Sequence, residues 1–102
     1  MKVIWTRESL EQLTEIERYI ASDNPIKARE FVEYIIRKGE DLSRNPCIGR
    51  IVPEISKRNI RERIIKNYRL AYRLYKDKLE ILTVFEGHRL LRMDEIKGSK
   101  NK

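Results

Sequence analysis

Cysteine, histidine, glycine and proline are all scarce in this 102-residue chain, which holds 1 Cys, 1 His, 4 Gly and 3 Pro. The lone Cys47 cannot close a disulfide within the chain, and with His88 as the single histidine there is no Cys/His cage for zinc; no metal and no cofactor is expected. No activating motif surrounds Cys47, which reads as a small loop-edge residue rather than a nucleophile. Long apolar runs are missing as well. Ile81 to Phe85 falls far short of a membrane span, and Met1 to Ser9 turns charged too early for a secretory signal, so the expected compartment is the cytosol, with no membrane partner. Low-complexity tracts are absent and 40% of the residues are hydrophobic. A chain of this size and composition is expected to bury one core, as a single domain over residues 1–95 with a basic, disordered tail over 96–102.

What the chain has in excess is positive charge, and it is unevenly placed. The formal net charge is +7; residues 1–49 carry 8 basic and 9 acidic side chains, whereas residues 50–102 carry 15 and 7. A field segregated in this way gathers an anionic partner, whether nucleic acid or an acidic protein segment, and is equally compatible with a solvated basic surface.

Hydrophobic periodicity sets out the elements. Lys2-Val3-Ile4-Trp5 is β-branched and aromatic, as suits a first strand, and Thr6 before Arg7-Glu8-Ser9 can cap a helix. Leu10, Leu13, Ile16 and Ile20 recur every three or four residues and lay one apolar stripe along a helix over 7–22. Asp23-Asn24-Pro25 breaks and restarts the chain, Asn24 as cap and Pro25 at the first helical position, where its missing N–H is no loss. Ala28, Phe31, Val32, Ile35, Ile36 and Leu42 mark the buried side of the second helix, and so short a link makes the pair an antiparallel hairpin.

After Asn45-Pro46 the period changes to two. Ile60 to Ile65 reads as a strand, Lys66-Asn67 as a two-residue turn in which Asn tolerates positive φ, and Tyr68 to Tyr75 as the partner strand. Tyr68, Leu70, Tyr72 and Leu74 share one face of that strand, and Arg69, Ala71, Arg73 and Tyr75 the other, so one face is expected to be core and the other basic and open. Leu79 to Phe85 is apolar on both faces and is expected to be a central strand. The fold class that follows is α+β, an N-terminal strand and a helix hairpin packed on an antiparallel sheet in the order β-α-α-β-β-β.

The ordered series Tyr19-Ile20, Asn24-Pro25, Ala28, Phe31-Val32, Leu42, Pro46, Gly49-Arg50, Pro53-Glu54, Ile60-Arg61-Glu62, Tyr68-Arg69-Leu70-Ala71-Tyr72-Arg73 and Ile81-Leu82-Thr83-Val84 resembles the RelE/ParE family of toxins from type II toxin–antitoxin modules, over residues 2 to about 92. The resemblance implies a small toxin held inactive by a cognate antitoxin protein whose tail lies in a groove between helices and sheet, as a toxin–antitoxin hetero-oligomer. RelE-like members cut messenger RNA on the ribosome, whereas ParE-like members block DNA gyrase; an inactive member would only bind antitoxin.

Cleavage by 2′-OH attack needs a base, a cation beside the phosphate and an acid for the leaving 5′-oxygen. The resemblance maps these roles onto Glu54, Arg69 and His88, with Arg61, Arg63, Arg73 and Arg89 as further phosphate or target contacts. The same residues also have plain structural readings: Glu54 as a loop ion-pair partner, the arginines as a solvated strand face, His88 as a surface residue. The nucleases of the family commonly end in a tyrosine or an extra histidine, but Glu86-Gly87-His88-Arg89-Leu90-Leu91 offers only His88, and Glu86 would repel phosphate. The helix pair joined at Asp23-Asn24-Pro25 looks like the ParE-type half of the family, which needs no general acid. Gyrase inhibition is therefore the preferred expectation, with ribosome-dependent messenger cleavage as the alternative.

Overall fold

A computed structural model describes residues 1–100, with side chains through Ile96. The elements are β1 (Lys2–Trp5), α1 (Arg7–Ala21), α2 (Pro25–Glu40), a 3₁₀ turn (Asp41–Ser43), β2 (Arg50–Ile51), β3 (Ile60–Ile65), β4 (Tyr68–Leu74), β5 (Lys78–Glu86) and α3 (Met93–Lys100). Both caps form as their residue types dictate: the Thr6 side chain accepts from the Ser9 amide and Asn24 from the Lys27 amide, each at 3.1 Å, with Pro25 opening α2.

The sheet runs β1-β5-β4-β3-β2. The expected meander is β3-β4-β5, all antiparallel, with β5 inside the sheet. Two features differ from expectation. β1 lies parallel to β5, making the sheet mixed: the helix pair carries the chain from β1 to the far edge, and the strands that follow return to place β5 beside β1, a connection long enough for parallel pairing. A two-residue strand, β2, also pairs with Arg61 and Glu62 at the far edge. At the β3–β4 turn it is Lys66, with φ 55°, that adopts the left-handed conformation rather than Asn67, whose carbonyl instead accepts the Gly87 amide at 2.8 Å.

The helix hairpin covers one face of the sheet. Leu13 and Ile16 of α1, Val32 and Ile35 of α2, and Leu42 pack on Ile65, Leu70, Tyr72, Leu79, Ile81 and Val84, with Ile20 and Phe31 partly buried beside them. Burying side chains such as Ile35 and Leu70, which are 0% exposed, contributes about 1.5–3 kcal/mol each. Leu10 and Ile36, expected in the stripes, are exposed, since only a narrow arc of each helix meets the sheet. Gly39 lets α2 close on β1: a Cβ there would stand 2.6 Å from Cζ2 of Trp5, whose indole N–H donates to Glu40 at 2.7 Å.

The other face is covered too, contrary to the expected open side. Val52, Ile55, Leu91 and Ile96 fold over Ile60, Ala71, Leu82 and Phe85 as a second core. A register shift between Ala71 and Tyr72 interrupts the alternation of β5, so that Ile81 and Val84, three residues apart, both face the helix-side core while Leu82 and Phe85 both face the second. Of the tail expected from residue 96, Ile96 is buried in α3, and residues 101 and 102 lie outside the described residues. No helix among the described residues is long and apolar enough to cross a membrane.

Candidate functional site

Glu62 is the residue around which the expected site is arranged. It is an acidic residue in the middle of β3, 1% exposed. Strand alternation sends it to the second core with Ile60, and a carboxylate buried there needs cationic partners. Its Oε1 accepts from Nε of Arg69 and its Oε2 from Nε of Arg50, both at 2.6 Å.

Arg69, 5% exposed on β4, has committed all three of its nitrogens. Beside Glu62, its Nη2 donates to Glu54 at 2.8 Å and its Nη1 to the Arg89 carbonyl at 2.7 Å. Glu54 in turn accepts the Leu91 amide at 2.8 Å. Burial pushes the Glu54 carboxyl up, but the hydrogen bonds from Arg69 and Leu91 outweigh it and hold the group below its ordinary range. Burial likewise disfavours the charge on Arg69, and Glu54 and Glu62 more than restore it. The guanidiniums of Arg69 and Arg89 lie on the Phe85 ring, each 4.9 Å from its centre, and Arg89 forms a fork on Glu95 at 2.8 and 2.9 Å.

The structure thus brings Glu54 and Arg69 together, as base and clamp would require, but as partners of each other. A carboxylate held ionised by a guanidinium is a poor proton acceptor, and a guanidinium engaged at each nitrogen has little left for a phosphate. His88 stands apart from the pair in its contacts. Its side chain is 90% exposed, with Nδ1 3.2 Å from Glu86 Oε2. The cluster ties the loop around Glu54, the three strands β2, β3 and β4, and the chain after β5 into one unit.

The remaining arginines do not share one side. Arg61 and Arg63 alternate onto the helix side, where Arg61 donates to the carbonyls of Gly49 and Arg58 and Arg63 to that of Lys38. Arg73 faces the second core, 5% exposed, with Nη2 3.2 Å from the Ile96 carbonyl and a buried Nε that has no hydrogen-bond partner among the described residues. The expected single basic ridge is therefore split between two faces, and its Arg69 and Arg73 half is roofed. The cause is legible in retrospect: Val52, Ile55, Leu91 and Ile96 are apolar, lie outside the meander and need a surface to bury against.

Sequence reasoning passed over a different basic group. Tyr34 on α2 has three cations over its ring, Lys38 at 5.3 Å and Arg37 and Lys66 at 5.8 Å each. The spacing Tyr34, Arg37, Lys38 was available as a helical i, i+3, i+4 set, but the approach of Lys66 depends on a tertiary contact that no local pattern encodes.

Three comparisons bear on this fold. Residues 3–91 match the family model described as ParE toxin of type II toxin-antitoxin system, parDE. A protein of Sinorhizobium fredii (strain NBRC 101917 / NGR234), named "Putative toxin Y4kP", is 35% identical over 89 residues, covering 85% of this chain and 88% of that protein. A solved structure titled "Chromosomal ParDE TA system from P. aeruginosa" superposes with a TM-score of 0.71 at 21% identity, covering 84% of this chain and 95% of the other, and so shares the fold.

Proposed function

The chain belongs to the ParE family of toxins from type II toxin–antitoxin systems, and from that membership we propose that it arrests growth by binding DNA gyrase, without catalysis of its own, and that a cognate antitoxin keeps it inactive. The observation that carries this reading is the state of Arg69. A nuclease of this fold would need that guanidinium for the scissile phosphate and Glu54 as a base, yet the two are spent on one another and on Glu62. A toxin that works by occupying a protein surface needs no free acid, base or clamp. It needs a rigid shape, which the ion cluster and the second core supply.

In this reading Glu54, Arg69 and Glu62 hold the shape, and His88 has no chemical role. The antitoxin is an acidic partner drawn to a chain whose excess charge is positive. Induction in growing cells, with and without the neighbouring antitoxin gene, followed by primer extension on abundant messengers, is the test. Arrest that the antitoxin relieves, with intact messengers, supports gyrase binding; cuts at ribosomal A-site codons would establish messenger cleavage instead, and no arrest at all would mark an inert antitoxin-binding member.

A further inference from the structure

We propose that Arg37, Lys38, Arg63 and Lys66 form a binding site for the phosphate backbone of duplex DNA. The proposal goes beyond the gyrase reading and does not rest on it. These four cations come from two parts of the chain, the last turn of α2 and the end of β3 with its turn. Three of them converge on the ring of Tyr34, and the fourth, Arg63, donates Nη1 to the Lys38 carbonyl at 3.1 Å. None of the four is ion-paired to a carboxylate among the described residues.

The α2 C-terminus accounts for only part of this. A helix end favours cations in its last turn, as Arg37 and Lys38 are, and its free carbonyl takes one N–H of Arg63. Lys66 is not explained so. It occupies a left-handed backbone position, φ 55°, where Gly or Asn is the usual choice, and from there its ammonium joins the like charges over Tyr34. Clustered cations with no paired carboxylate among the described residues complement an external polyanion.

The geometry also selects among polyanions. Single strands are held by bases stacked on open aromatic faces, but the Tyr34 ring is overlain by cations and offers no such platform. An acidic peptide gains its affinity from apolar anchors as well as charge, and the Tyr34 ring at the centre of this cluster is already covered by the cations. The four cations sit at a helix end and at a strand end with its turn, not along an element that could enter a groove, so they meet phosphates rather than base edges, the pattern of sequence-independent duplex binding.

The test is a fluorescence-anisotropy titration of the purified full chain against two unrelated 20-base-pair duplexes over a range of salt, with the corresponding single strand and a Glu-rich peptide as competitors. Both duplexes should bind equally, with log K against log salt falling with a slope of about −3 to −4 for four phosphate contacts. Lys66→Gly suits the left-handed position, so the fold is kept, and should lower that slope by about 1; the triple variant Arg37→Gln, Lys38→Gln, Lys66→Gln should lower it by about 3. Variants that keep the wild-type affinity and slope would overturn the assignment. So would failure of the wild-type chain to bind duplex, or displacement of duplex by the peptide or the single strand at lower concentration than by duplex itself.

Discussion

Glu62 on β3 and Arg69 on β4 meet at 2.6 Å, the carboxylate 1% and the guanidinium 5% exposed, in the middle of a core that the strand pattern alone suggests should be open. Everything on that side of the sheet is arranged about this contact. Arg50 saturates the second oxygen of Glu62, Glu54 takes the Nη2 side of Arg69, and the backbone of Arg89 and Leu91 closes the network from the chain after β5.

Removing Glu62 should therefore be costly. Glu62→Gln leaves Arg69 buried with one carboxylate and is expected to destabilise by about 3 kcal/mol, the low end for breaking a buried ion pair. Arg50→Gln, whose side chain is 59% exposed, removes only an exposed partner and should cost about 1 kcal/mol or less. Urea unfolding of both variants measures the difference; equal costs would mean that the cluster does not organise the core.

The strand faces, both helix caps, the meander and the central place of β5 were all legible, because each depends on periodicity or on a capping residue within a few positions. The second core was not. Its apolar members Val52, Ile55, Leu91 and Ile96 lie in loops and in a short helix, where no period announces burial, and so Arg69 and Arg73 read as a solvated ridge. The ion-pair reading of Glu54 is legible from its basic neighbourhood, but its partner is Arg69 on β4, and the pairing with Glu62 depends on strand register that no local pattern encodes. The parallel placement of β1 likewise depends on which sheet edge is free, a property of the assembled sheet.

Acid should loosen this network. The carboxyls of Glu54 and Glu95 lie below their ordinary value of 4.5 in the folded chain, Glu54 through Arg69 and Leu91 against the opposing effect of burial, Glu95 chiefly through Arg89. The unfolded chain therefore binds more protons in this region, so stability is fully present above about pH 5 and falls as pH drops through the lowered folded values. Urea midpoints between pH 3 and 7 should show that decline, and Glu54→Gln should make it shallower. A variant with the same acid slope as the parent would remove Glu54 from the account.

Gly49 has a steric reason for being glycine. A Cβ there would stand 2.5 Å from the Glu62 carbonyl oxygen and 2.6 Å from the Tyr72 hydroxyl, which itself accepts the Gly49 amide at 3.0 Å and donates to the Pro46 carbonyl at 2.7 Å. Because the nearest obstacle is backbone, Gly49→Ala should cost about 1–3 kcal/mol, as overpacking does. Gly87→Ala, with its nearest contact at 3.1 Å, should cost less. Thermal melting of the two variants orders them.

His88 should be dispensable. Its imidazole lies 90% exposed against Glu86, so His88→Gln is expected to leave growth arrest unchanged. Plating efficiency after induction reads the result; loss of toxicity in a variant that still folds would restore the general-acid role.

Inhibition of gyrase by binding is the claim on which the functional account stands, and a supercoiling assay with purified gyrase, relaxed plasmid and increasing amounts of the full chain tests it most directly. The account predicts that supercoiling falls as the chain approaches the gyrase concentration, with recovery when antitoxin is added. Undiminished supercoiling in the presence of excess chain, from a preparation that arrests growth when expressed, would contradict it.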